Sequence, residues 1–494
     1  MHILALLLQV VSAPTARPRL VAVVVMDQMP IRLWDRLLPE LPAGGLRRLV
    51  DGGVSLVGVY GHAMTATAPG HALLATGADC GRTGIVDNEW MERTPWRRVH
   101  ADDDPQFGTS PANLRATTFA DSLSSATGGR ARIVSVSLKS RAAVLLAGRH
   151  PTAVVWYDPP AGEWRTSAYY GALPVWAARS DPRTQVGKDW RPSLDGRKLA
   201  RLGGPDDAPG EGDFKGLGRT FPHPVRSPET LVATPAANDL IMDVALAGAA
   251  AEGLGKDDVP DLLLISLSAT DYVGHVFGPD SQEAVDTFFR ADRAIARLLG
   301  WLHQHVGTGK YEVVVTSDHG AGSLPERNGA VRLPPDTDIA SAIQKRLAPG
   351  HEVTFIHPNL FLEPRDPAAL RTARTALLGL PGVERVLAAA ELAAPMDDIA
   401  ERVRRSWDPV RSGDLYVVLA PNCAFEENMT LGAGTGHGSP RDYDREVPLV
   451  FFGAGIKRRA GRERVAEEAV APTIAALLGV PPPPAASEKA IALH

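Results

Sequence analysis

Leu20-Val21-Ala22-Val23-Val24-Val25-Met26-Asp27 is an apolar, β-branched run that stops at a carboxylate. A short run without polar alternation reads as a strand buried on both faces, the kind found in parallel sheets covered by helices. The pattern recurs twice. Residues 262–267 precede Asp271 and His275, four positions apart, and residues 313–317 lead directly into Asp318-His319. In an open α/β sheet such groups collect at the carboxyl ends of the strands, where these folds bind ligands.

Further strands are expected at 131–136, 414–419 and 448–452. Helices are expected over Gln282–His305, where Val285, Phe288, Ala291, Ile295, Leu298 and Leu302 recur every three or four positions, and over Val470–Leu478. Pro69 fits the first turn of a helix that runs to about Thr76, with Thr67 at or just before its N-cap. The alternation predicts an α/β sandwich: a mostly parallel central sheet with helices on both faces. The ligand-type residues come from nearly the whole length, so the 494 residues read as one catalytic domain over 17–480 rather than separate halves. Stretches at about 152–232 and 335–425 break the rhythm and are read as insertions capping the site. Residues 481–494, opening on Pro481–Pro484, are read as a solvated tail.

A hydrophobic content of 44% and a charged content of 22% are ordinary for a soluble globular chain. A net charge of −5 without a dominant basic stretch argues against nucleic-acid or anionic-membrane partners. Residues 1–16, an apolar stretch followed by small residues, read as a signal peptide and place the protein outside the cytoplasm, periplasmic or secreted. No later segment has the length of a membrane anchor. Cys80 and Cys423 are the only cysteines; pairing and separate thiols are both open, and neither has zinc-ligand spacing. Oligomeric state is not legible.

Asp271-x-x-x-His275 puts a carboxylate and an imidazole on one helix face, and Asp318-His319 follows a strand. His437 lies among glycines in Gly434-Thr435-Gly436-His437-Gly438-Ser439-Pro440. Oxygen and nitrogen donors without thiolates point to zinc, with manganese or another divalent ion open. The set is large enough for two ions. One would take Asp271, His275 and His437; the other Asp27, Asp318, His319 and the Thr67 oxygen. Metal coordination is one way to hold a threonine hydroxyl as a nucleophile. A helix start at Thr67 adds the Ala68 N–H as a donor for a developing oxyanion. His71 reads as packing beneath the helix, and His62, Asp87 and Asp102–Asp104 as solvated loop residues. Trp164, Tyr169 and Tyr170 read as the small core of an insertion.

Thr67-Ala68-Pro69-Gly70-His71, Gly84-Ile85-Val86-Asp87-Asn88-Glu89-Trp90 and the three later segments resemble the alkaline phosphatase superfamily, in its type I phosphodiesterase/nucleotide pyrophosphatase-like branch. The resemblance implies that Thr67 forms a covalent phospho-threonine, that the Asp/His sets bind two zinc ions, and that Asn88 donates to a phosphoryl oxygen. Lys139-Ser140-Arg141 resembles the Lys-x-Arg of the threonine-nucleophile alkaline phosphatases that prefer monoesters. The charges agree, since a monoester carries an extra anionic oxygen for two cations to neutralise. The expectation is an alkaline phosphatase acting on small phosphate esters. Asp87-Asn88 resembles the nucleotide pyrophosphatases equally, so a phosphodiesterase is the alternative. Neither Cys-x-Pro-x-Arg nor Ser-x-Pro-x-Arg occurs, which argues against a sulfatase.

Overall fold

Val21, Val23 and Val25 point into one hydrophobic cluster, and Leu20, Ala22, Val24 and Met26 into another on the opposite face. This two-sided burial is what an unbroken apolar strand requires. The computed structural model describes residues 17–426 and 429–493. The presumed signal peptide, 1–16, lies outside them.

The main sheet has nine strands. In chain order they are β1 (Leu20–Met26), β2 (Val54–Val59), β3 (Ile133–Ser137), β4 (Ala153–Asp158), β5 (Glu163–Arg165), β6 (Asp261–Leu267), β7 (Tyr311–Thr316), β8 (Glu446–Gly453) and β9 (Arg459–Ala466). Their spatial order is β9-β2-β8-β7-β1-β6-β3-β4-β5. The run β7-β1-β6-β3-β4 is parallel throughout, with Val23 level with Leu264 on one side and Val314 on the other. β8 runs antiparallel to both its neighbours, and β5 antiparallel to β4. Four helices matter for the site or its support: α1 (Thr67–Thr76), α2 (Ser140–Ala147), α3 (Ala269–Phe277) and α4 (Gln282–His305). Phe288, Ile295 and Leu298 of α4 pack on one face of the sheet, while Leu74 of α1 and Val144 of α2 pack on the other.

Within the second expected insertion, Glu352–Ile356, Asn359–Glu363, Leu415–Leu419 and Val383–Ala388 form a separate four-stranded antiparallel sheet. It has its own core around Phe355, Leu360 and Val417. The first expected insertion differs from its reading. Residues 153–165 extend the main sheet as β4 and β5, and Tyr157, Trp164 and Trp190 join its principal cluster. None of the described residues of 152–232 lines the cleft described below. The Pro- and Trp-rich tract hid a strand whose apolar residues complete the sheet edge.

The tail is not simply solvated either. Leu493 is buried with Ile474 and Leu478, and the Ser487 N–H donates to Gly77 O at 2.9 Å. Proline stiffens 481–484, but the apolar residues beyond find a groove. Cys80 and Cys423 are separate thiols. Among the described residues, no helix is long and apolar enough to cross a membrane.

Candidate active site

β7, β1, β6 and β3 are adjacent and parallel, so the residues just past their carboxyl ends arrive at one place. They are Asp318-His319, Asp27, Asp271 on α3, and Lys139 at the start of α2. α1 brings Thr67 as its first residue, and its close approach depends on Gly70. A Cβ there would lie 2.3 Å from Asp318 O and 2.8 Å from Asp318 Cβ.

Lys139 is at the centre. Its buried ammonium lies 2.6 Å from Asp271 Oδ2 and 2.7 Å from Asp27 Oδ2, and donates to Thr67 Oγ1 at 3.1 Å. The Asp27 contact is an ion pair without hydrogen-bond geometry, leaving both Asp27 oxygens without a hydrogen-bond partner among the described residues. Burial favours the neutral amine, but Asp27 and Asp271 outweigh it and hold Lys139 charged, above its ordinary value.

The three imidazoles share one arrangement. His275 Nδ1 lies 2.8 Å from Thr435 O, His319 Nδ1 3.0 Å from Gly320 O and His437 Nδ1 2.8 Å from Thr65 O. A carbonyl only accepts, so Nδ1 carries the proton and Nε2 presents its lone pair inward. His275 Nε2 and His437 Nε2 stand 3.2 and 3.5 Å from Asp271 Oδ1. His319 Nε2 stands 3.5 Å from Asp27 Oδ1 and 3.6 Å from Asp318 Oδ2.

These side chains suit a metal ion. Asp27, Asp318 and His319 bring ligand atoms within 4.8 Å of one another, and so do Asp271, His319 and His437. His319, assigned to one group by sequence, faces both, because its ring stacks on His437 with centroids 3.8 Å apart. Asp27 Oδ1, Asp318 Oδ2 and His319 Nε2 are buried without hydrogen-bond partners among the described residues. Asp27 and Asp271 share one ammonium and Asp318 lies among the same side chains, so the excess negative charge calls for cations. Burial, with Asp318 beside it, pushes the Asp27 carboxyl well above the usual range. Burial also opposes the charge on Asp318, but His319 and His71 hold it well below that range. Burial lowers His319 to about 3, leaving the ring neutral as ligation demands.

Thr67, Asn88, Lys139 and Arg141 line one solvent-open cleft with Asp271 and His437. Arg141 Nε is buried without a hydrogen-bond partner among the described residues, a ready donor for an anion. The Ala68 N–H, expected to face an oxyanion, instead donates to Asn88 Oδ1 at 2.8 Å. With its oxygen so engaged, the Asn88 amide is left with its NH2 group to donate. His71 packs as expected, its Nδ1 2.8 Å from Thr67 O and its Nε2 3.0 Å from Ser266 Oγ. His62, Asp87 and Asp102, taken for solvated residues, are buried. The Asn88 N–H donates to Asp87 Oδ1 at 2.7 Å, and burial pushes the Asp87 carboxyl up to about 8.

Sequence reasoning missed three side chains here. Gln28 contacts Asp271, Tyr272 places its ring 5.3 Å from Lys139 Nζ, and His357 reaches the cleft from the small sheet. Gln28 and Tyr272 adjoin candidate ligands in sequence, but nothing in their types marks them. His357 lies in a hairpin whose position depends on the whole fold.

The family model for type I phosphodiesterase / nucleotide pyrophosphatase matches residues 21–440. The chain belongs to this family. The type I phosphodiesterase / nucleotide pyrophosphatase match takes in every candidate residue from Asp27 to His437. Alkaline phosphatase PhoV of Synechococcus elongatus is 31% identical, over 96% of this chain and 92% of its own. Alkaline phosphatase PafA of Elizabethkingia meningoseptica is also 31% identical, over 96% and 94%. The crystal structure of wild-type PafA superposes with a TM-score of 0.88 at 29% identity, over 97% of this chain and 99% of that one. Within the type I phosphodiesterase / nucleotide pyrophosphatase family, these are full-length likenesses to alkaline phosphatases.

Proposed function

We propose that this chain is an alkaline phosphatase that hydrolyses small phosphate monoesters through a covalent phospho-threonine and releases inorganic phosphate. The observation that carries the reading is the meeting of Lys139 and Arg141 with Thr67 in one cleft. Full-length likeness to PhoV and PafA supports it.

Asp271, His275 and His437 would hold one zinc ion, and Asp27, Asp318 and His319, with Thr67 Oγ1, a second. When bound, zinc supplies positive charge that favours the deprotonated Thr67 hydroxyl and the departing oxygen. Thr67 Oγ1 attacks phosphorus in line, displacing the alcohol oxygen, and water then cleaves the phospho-threonine. Lys139 and Arg141 neutralise the non-bridging oxygens, and the Asn88 amide donates to one of them. Catalysis is therefore mainly charge stabilisation and positioning. Export rests on the sequence of residues 1–16 and makes phosphate scavenging outside the cytoplasm the natural role.

The test compares kcat/KM of the zinc-loaded enzyme on an aryl phosphate and on the aryl methyl phosphodiester with the same leaving group. A strong monoester preference is expected. Diester preference would transfer the chain to the phosphodiesterases, an activity in the family's name, with Thr67 and the metal ligands retaining their roles.

A further inference from the structure

Gln28 adopts a left-handed backbone conformation, φ 61°, which glycine or asparagine takes readily and glutamine rarely. Such a residue persists where its surroundings hold it, and both of its ends are held. Its backbone N–H donates to Asp318 Oδ1 at 3.2 Å, and its side-chain Nε2 to Asp271 Oδ1 at 2.9 Å. One residue thus grips a carboxylate from each proposed metal group. The next residue reinforces the turn, its Met29 N–H donating to Ser317 Oγ at 2.9 Å. On the far side, α3 makes room: a Cβ on Gly274 would lie 1.8 Å from Gln28 Oε1.

We infer that Gln28 is a positioning residue that fixes the Asp271 ligand group relative to the Asp27/Asp318/His319 group, and so sets the site's affinity for its cations. The inference rests on the metal-dependent reading above. The bond to Asp318 uses the main chain and survives substitution. The bond to Asp271 belongs to the side chain alone, so its loss falls on one group.

The experiment strips the full-length protein with a chelator and titrates it with Zn2+ by calorimetry, counting retained metal after dialysis. Gln28→Gly suits the positive φ and keeps the N–H to Asp318, but releases Asp271. Binding at the Asp271 group should weaken about ten- to a hundred-fold, with a smaller change at the other group. Gly274→Ala leaves Gln28 in place and displaces its flexible amide, so it should reproduce the selective loss. Gln28→Asn tolerates the same φ and is too short to reach Asp271, and serves if glycine loosens the fold by circular dichroism. Wild-type affinities in these variants, or an equal loss at both groups, would overturn the inference. If the wild type takes up one ion only, the two-zinc reading falls, and the inference stands or falls on whether the variants weaken that ion. A wild type that binds no Zn2+ overturns both.

Discussion

Thr67 Oγ1 and Lys139 Nζ are 3.1 Å apart, and the same ammonium contacts Asp27 and Asp271. Removing the hydroxyl removes the only atom proposed to take the phosphoryl group, while the carboxylate and imidazole ligands stay. Thr67→Ala should therefore abolish turnover with bound zinc retained, read by steady-state kinetics beside elemental analysis. Preserved turnover would refute the nucleophile assignment. In the proposed mechanism Arg141 donates where a monoester is dianionic and a diester carries an alkyl group. Arg141→Ala should lower monoester kcat/KM by roughly 3 kcal/mol of transition-state stabilisation, and diester kcat/KM much less. Equal losses for both substrates would make Arg141 general scaffolding. The candidate ligands were legible because their residue types are chemically restricted. Gln28 was not, since its bonds to Asp318 and Asp271 join residues 290 and 243 positions away.

At the scale of elements, α1 begins at Thr67 and ends where Gly77 turns left-handed, φ 69°. The end was legible and the start nearly so, with Ala66 rather than Thr67 at the N-cap, because Pro69 and Gly77 are local signals at a helix's start and end. Its placement was not. Gly70 lets α1 settle against the backbone of the turn after β7, so Thr67 and Asp318 share one site. Alanine is the better helix former by about 1 kcal/mol, yet here its methyl would meet main-chain atoms that cannot move aside. Gly70→Ala should cost about 1–3 kcal/mol net and weaken metal retention, measured by denaturant unfolding and dialysis. A stabilised variant with full metal content would show that the contact relaxes freely. β4 and β5 teach the converse lesson. Their neighbours in sequence are turn-rich and aromatic, and only the pairing of β4 with β3, and of β5 with β4, shows that they belong to the sheet.

Across the whole molecule, buried carboxyl groups couple stability to pH. Glu312, on β7 and 3% exposed, has a carboxyl that burial raises to about 8, and its Oε2 has no hydrogen-bond partner among the described residues. In the unfolded chain it ionises near its ordinary value, so between about pH 4 and 8 the folded state binds the extra proton. Stability therefore falls as pH rises through that window and levels off above it. Glu312→Gln should match the wild type near pH 4 and exceed its melting temperature near pH 9. Parallel melting curves across that range would mean that water reaches the carboxylate. Glu312 lies at the start of its strand, away from the proposed ligands, so catalysis should be little changed.

The sequence by itself determined the central strands, the long α4 helix, the first and last turns of α1 and the pool of candidate metal-ligand and anion-binding side chains. Periodicity, caps and residue chemistry are local properties, written within a few positions of the residues they govern. Tertiary structure alone decided that β7, β1, β6 and β3 stand side by side, which gathers residues from Asp27 to His319 at one edge. It also decided that His319 faces two ligand groups, that Asn88 takes up the Ala68 N–H, and that residues 153–165 complete the main sheet. Each of these depends on contacts between segments far apart in the chain, which sequence spacing cannot encode.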